Sequence, residues 1–279
     1  MAANCRGDLI ETVSFDAPRV PSTTALLYVR VEAIGRTERP ARPYAYETIF
    51  PVRLERTAGR SVSVTRGFAV PPGRYRVVLV LRESTVEPAA VRRAGVLLHD
   101  LAVPDFWTGE LATSSVMLAD RIERLKAPVP ADQLDEDPYA VGSNRIHVTG
   151  NRVFSRGGEL IVAFLIYNLS VDPDAQFDAQ VDYHLYKKVE GGQGPPARAE
   201  GHPPPRAGEQ YVTRTNPQRL NPTKMGAQFD PRAGTPLLAG QGILLRGFEP
   251  GDYRLGITVT DLLSRKSLSR DVAFTVSGS

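Results

Sequence analysis

The sequence predicts an all-β protein made of two tandem sandwiches, and three observations carry that expectation. Apolar and polar residues alternate with period two through most ordered stretches. Turn chemistry ("PPG", "GG", "NP", "DP", "PG") interrupts those stretches at short intervals. One phrase occurs twice, as "VPPGRYRVVLVLRE" from Val70 to Glu83 and as "FEPGDYRLGITVTD" from Phe248 to Asp261. Alternation marks a half-buried strand, and many short strands with almost no helix mean a sandwich or barrel. Immunoglobulin-like or fibronectin-III-like domains are the natural description.

The bulk numbers suit this reading. A chain of 279 residues is the length of about two domains. It is 42% hydrophobic and 23% charged, with a net charge of +3. The basic residues are scattered rather than blocked, so no nucleic-acid partner is expected. No apolar run is long enough for a membrane span. The one cysteine, Cys5, excludes an intrachain disulfide. The opening "MAANCRGDL" lacks the apolar core of a signal peptide, and Asn4 makes "AANC" a poor lipidation motif.

The elements follow in order. "TALLYVRVEA" sets Leu27, Val29, Val31 and Ala33 on one face and Tyr28, Arg30 and Glu32 on the other. Tyr44 and Tyr46 in "PYAYET" alternate with Ala45 and Glu47 and are expected to share a strand face. In the first copy of the phrase, Pro72 and Gly73 make a tight turn and Tyr75 opens the next strand. Its ring packs over the sandwich end and its hydroxyl bonds to the chain nearby, as in a tyrosine corner. Pro250, Gly251 and Tyr253 repeat the arrangement. Each copy should mark a closing hairpin, completed by "AGVLLHDLAVPDF" in the first half and "SRDVAFTVSGS" in the second. "SSVMLADRIERLKA" reads as strand then linker. "KAPVPADQLDEDPYAVGSN" reads as linker by composition. The domains are therefore placed at 8–127 and 144–279, with 128–143 between them.

In the second domain "ELIVAFLIYN" is apolar on both faces, as a central strand is. "FDAQVDYHLYKK" turns Ala179, Val181, Tyr183 and Leu185 inward, "YRLGITVTD" Leu255, Ile257 and Val259, and "RDVAFTV" Val272, Phe274 and Val276. Glu190–Gln210 holds five prolines and five glycines and reads as a mobile hairpin excursion. Pro196 and the run Pro203–Pro205 cannot donate ladder hydrogen bonds. The "GQG" at Gly240–Gly242 reads as a loop pair.

Chemistry is sparse. His99, His147, His184 and His202 form no metal-binding spacing, and there is no nucleophile elbow or phosphate loop. Asp132, Asp135, Glu136 and Asp137 could hold calcium in the linker, though a solvated linker is the plainer reading. Asp172, Asp174 and Asp178 flank a turn and are read the same way. "RGD" at Arg6–Asp8 is a chance tripeptide, and Asn168 in "NLS" matches a glycosylation acceptor. Trp107, Tyr44 and Tyr46 are the candidate binding surface, with Trp107 otherwise plugging a domain end.

"NRVFSRGGELIVAFLIYNL", "VDYHLYKK" and "GILLRGFEPGDYRLGITVTDLLSRKSLSRDVAFTV" resemble the C-terminal β-sandwich tail of secreted acidobacterial proteins. These carry a von Willebrand factor A-related or GWxTD domain upstream. "VPPGRYRVVLVLRE" through "LLHDLAVPDFWTGELATSSVML" resembles the preceding part of the same tails. The similarity spans about residues 65–126 and 144–277. No D-x-S-x-S motif occurs, so metal-dependent adhesion is not carried over. The resemblance implies export and a non-catalytic role. The expectation is an extracytoplasmic structural or protein-interaction module, without enzyme activity or cofactor, that meets a cell-surface or envelope protein. The alternative is a carbohydrate- or peptide-binding module using Trp107 or the 190–210 loop.

Overall fold

The computed structural model describes residues 22–35, 44–55, 64–84, 94–189, 203–225 and 236–278. Cys5, the Arg6–Asp8 tripeptide and residues 190–202 of the Pro/Gly-rich stretch lie outside these. The protein is all-β, with several antiparallel sheets and only a four-residue helical turn, α1 (Pro222–Met225), and one 3₁₀ turn (Ala131–Gln133) among the described residues. No described helix is long and apolar enough to cross a membrane. The chain divides into two compact units. One is Met1–Asp105 with Val129–Pro138; the other is Phe106–Pro128 with Tyr139–Ser279.

The described residues of the first unit form four long strands: β1 (Ser22–Ala33), β2 (Tyr46–Glu55), β3 (Gly73–Ser84) and β4 (Ala94–Val103). They form one antiparallel sheet in the order β2-β1-β3-β4. Alternation decides what is buried. Ala25, Val29 and Val31 of β1 share a face with Phe50 and Val52 of β2 and with Tyr75 and Val77 of β3, and all are buried. Val70 joins them, and the Arg66 guanidinium lies 5.0 Å from the Phe50 ring centroid.

The described residues of the second unit form twelve strands: β5 (Ala112–Thr113), β6 (Met117–Arg124), β7 (Ala140–Val141), β8 (Asn144–Val148), β9 (Val153–Ser155), β10 (Glu159–Tyr167), β11 (Ala179–Lys188), β12 (Glu209–Arg214), β13 (Gln218–Leu220), β14 (Leu237–Leu244), β15 (Gly251–Asp261) and β16 (Ser267–Ser277). One sheet runs β14-β10-β6-β8-β7, with β5 also beside β10. The other runs β12-β11-β15-β16-β9, with β13 also beside β11. Leu160, Val162, Phe164 and Ile166 of β10 meet Val181, Tyr183 and Leu185 of β11 and Leu255, Ile257 and Val259 of β15 in one core. The two sheets thus close a single apolar layer between them, the arrangement of a sandwich. The opposite face of β10 is buried too, by Ile161 and Ala163 against Met117, Ala119 and Ile146. That strand is apolar on both sides because it is central.

Three expectations need correction. The segment 106–127 is not part of the first unit: β6 pairs with β10 at Ile161↔Ala119, Val162↔Leu118 and Ala163↔Met117. The apolar start of that strand, Met117–Ala119, needs a partner with two buried faces, and β10 is that partner. The presumed linker 128–143 is largely built in: Val129–Pro138 belongs to the first unit, where Gly67 N–H donates to the Asp135 carbonyl at 2.7 Å, and Ala140–Val141 is strand β7. Gly240 and Gly242 lie inside β14, not in a loop. A Cβ on Gly240 would stand 2.7 Å from the Val162 carbonyl oxygen, so the close approach of β14 to β10 demands glycine there.

Candidate functional site

The repeated phrase sets the frame. Tyr75 Oη donates to the Pro71 carbonyl and Tyr253 Oη to the Glu249 carbonyl, each at 2.7 Å and each four residues back. Both rings are buried. Gly251 holds φ at 142°, a region glycine enters cheaply, while Gly73 at 158° is close to extended. Pro72 and Pro250 precede the two glycines and complete the turns.

Cross-strand partners extend the match. Tyr75 sits opposite Ala33 and Leu101; Tyr253 sits opposite Lys187 and Phe274. In that register β1 corresponds to β11, β3 to β15 and β4 to β16. The orders β2-β1-β3-β4 and β12-β11-β15-β16 are then the same. The arginine after each tyrosine points away from the core in both units. Arg76 Nε lies 2.9 Å from Asp100 Oδ1. Arg254 donates to both Glu209 carboxylate oxygens, at 2.7 and 2.6 Å, and to Asp271 at 2.7 Å.

The two outer faces otherwise differ. In the second unit the face is polar, and the charged groups around Arg254 pair with one another. The Arg254 guanidinium stacks 4.0 Å over the Tyr186 ring. Tyr186 Oη donates to the Pro203 carbonyl at 2.7 Å, and Arg206 pairs with Asp271. The hydrogen bond from Arg254, together with those from neighbouring donors, outweighs burial and holds the Glu209 carboxyl below its usual range. Glu209 and the acidic Asp271 in turn hold Arg254 charged. This network fastens Pro203–Gly208 to the sheet, with Pro205 buried. The C-terminal part of the 190–210 stretch is therefore packed, not a mobile excursion.

In the first unit the outer face is apolar at its centre. Ile49, Tyr28, Val80 and Val96 lie directly opposite one another across all four strands, and Glu47, Arg30, Val78 and Leu98 form the next row. Val96 is 66% exposed, Leu98 62%, Ile49 58% and Leu26 40%. The positions of Val96 and Leu98 in β4 are held by Ser269 and Asp271 in β16, and those of Val78 and Val80 by Gly256 and Thr258. The apolar face is thus no requirement of the shared topology.

The aromatic candidates are dispersed. Tyr46 shares a face with Val31 and packs on Phe68, centroids 5.5 Å apart. Tyr44 precedes the strand and lies under Arg30, from the opposite face of β1, at 4.9 Å. The two tyrosines do not share a face, because the chain enters β2 between them. Trp107, 44% exposed, stands edge-on to Tyr167 at 6.0 Å, and Phe106 stacks on the same ring at 4.4 Å. Asn168 ties this end together by donating to the carbonyls of Phe106 and Glu110, both at 2.7 Å.

Among the described residues no three His, Cys, Asp or Glu stand close enough to share a metal ion, and this includes the Asp132–Asp137 and Asp172–Asp178 groups. The outer apolar face escapes a reading based on alternation alone. Its signal is the double-faced apolar run "VVLVL" in β3 with Val96 and Leu98 in β4. No family model and no curated protein matches the chain.

Proposed function

We propose that this chain is a non-catalytic, extracytoplasmic module of two tandem immunoglobulin-like or fibronectin-III-like sandwiches that works by binding another protein. One observation carries the reading: the apolar outer face of the β2-β1-β3-β4 sheet, whose counterpart in the second unit is polar. An exposed apolar patch rimmed by charge is the mark of a protein contact surface. The matching strand orders and paired tyrosine corners support the tandem repeat. Export rests on the resemblance to secreted β-sandwich tails. A photo-crosslinking side chain at Leu98, in cells that make the protein naturally, is expected to capture a polypeptide in the envelope fraction. The same probe at Ser269 is expected to capture none. Equal labelling from both positions, or recovery only from the cytoplasm, refutes the proposal.

A second reading is favoured by the exposure of Trp107. With Tyr167 beside it, the indole offers a stacking surface for a sugar or peptide ring. Glycan and peptide arrays probed with wild type and Trp107→Ala test it: any ligand found should be lost in the variant.

A further inference from the structure

We propose that β4 is a strand-acceptor edge, which binds an extended, apolar segment of another protein as a fifth strand of the first sheet. The inference rests on the reading of that sheet as a contact surface. It adds what the partner brings there and how the two are held.

Three observations select an extended chain. The first is the state of the sheet ends. An edge strand offers a row of backbone donors and acceptors, and folded proteins blunt such rows. β2 carries Pro51, which has no N–H to offer. β14 gives its Gly240 carbonyl to the Gln218 side chain at 2.9 Å. The pairing of β12 with β11 shifts register at Leu185/Tyr186. β7 and β9 are only two and three residues long. β4 has none of these devices. It runs ten residues without a proline, and its register with β3 is unbroken from Gly73↔Val103 to Arg82↔Ala94. Its one carboxylate, Asp100, is turned back onto Arg76 at 2.9 Å. Among the described residues no strand pairs with its other side.

The second observation is where the apolar surface gathers. Val96 and Leu98 of β4 are 66% and 62% exposed, while Val78, beside Leu98 on β3, is 7% exposed. On the opposite face of β4, Leu97 and Leu101 are only half-buried. A partner laid flat on the outer face reaches Val96 and Leu98 alone. A strand alongside β4 sends its side chains to both faces in turn and covers all four. The third observation is that the topology already takes a strand at this place. β16, the equal of β4, receives the parallel β9 from Thr275↔Val153 to Ser277↔Ser155, and Phe154 of that added strand is buried in the core. Backbone hydrogen bonds would hold the incoming segment, and the four apolar side chains would select its sequence.

Phage-displayed random decapeptides, screened on the full chain, supply the probe. The peptides selected should be apolar and should slow hydrogen exchange of the β4 amides. N-methylation at every second peptide residue should abolish binding in one phase and spare it in the other, because only one edge of the peptide pairs. Val96→Lys and Leu98→Lys should each weaken binding at least about tenfold while circular dichroism stays unchanged. Ile49→Lys, on the same face but on the far strand β2, should bind as wild type does. A screen that yields no peptide bound at β4 overturns the inference. So does binding indifferent to both methylation phases. A chain that dimerises alone, and is made monomeric by Val96→Lys, also overturns it, since the edge is then filled by its own kind. A polypeptide that crosslinks from Leu98, leaves β4 exchange unchanged and is lost with Ile49→Lys refutes strand addition and leaves the binding reading standing.

Discussion

At the scale of single residues, buried side chains that hydrogen-bond to the backbone anchor each unit. Tyr253→Phe keeps the ring and deletes only the bond to the Glu249 carbonyl. It should cost about 1 kcal/mol in urea unfolding, and Tyr75→Phe a similar amount. Asp261 is a stronger case. It is 1% exposed and accepts from Ser170 N–H at 2.8 Å, Ser264 Oγ at 2.7 Å and Leu263 N–H at 3.0 Å. Burial alone would raise its pKa. The Ser170 and Ser264 donors outweigh that and hold the carboxyl below the ordinary 3.8. A carboxylate with a depressed folded pKa contributes stability above its unfolded value and loses it as pH falls through the folded one. Wild type should therefore exceed Asp261→Asn in stability at neutral pH, with the gap closing below about pH 4; denaturation midpoints against pH measure this. The tyrosines are legible in the sequence because donor and acceptor lie four residues apart beside a Pro-Gly turn. Asp261 is not, because Ser170 is 91 residues away.

Among the elements, the strands that differ most in use are the topological equals β4 and β16. Both follow a tyrosine-bearing strand, yet only β16 has a further partner among the described residues, the parallel β9. Alternation is enough to find each strand and its inward residues. It says nothing of what a sheet's other face meets, since that depends on contacts outside the strand. The Arg254 network shows the same limit. Its carboxylates come from β12 and β16, 45 and 17 residues distant. Glu209 keeps a side-chain exposure of 7%. Replacing Arg254 by methionine leaves that carboxylate buried without its bidentate partner and should cost about 3 kcal/mol. Adding Glu209→Leu should recover much of the loss, because the unpaired charge goes with it. Chemical denaturation of the single and double variants gives both numbers. Deleting Pro203–Ala207 should destabilise in the same way, since that arm supplies the carbonyl for Tyr186 and the cation for Asp271.

For the whole molecule, the unit boundaries do not follow the chain as a single cut. Composition points to one linker because proline, aspartate and alanine cluster there. Contacts put β5 and β6 in the second unit and Val129–Pro138 back in the first. A fragment 106–279 should give a folded, cooperative second unit. Fragment 144–279 lacks β6 and would leave Ile161 and Ala163 of β10 uncovered on one side, so it should be poorly folded by near-ultraviolet circular dichroism and proton NMR dispersion. If 144–279 folds as well as 106–279, β6 is dispensable to the second sandwich. The same path has a consequence for proteolysis. Lys126 is exposed, just after β6. A nick after it severs the backbone but divides neither unit cleanly. The N-terminal piece keeps β5 and β6 inside the second unit, and the C-terminal piece keeps Val129–Pro138 with the first. β6 of the N-terminal piece stays in the core of the second unit, so the nicked protein behaves as a complemented pair that comes apart only in denaturant.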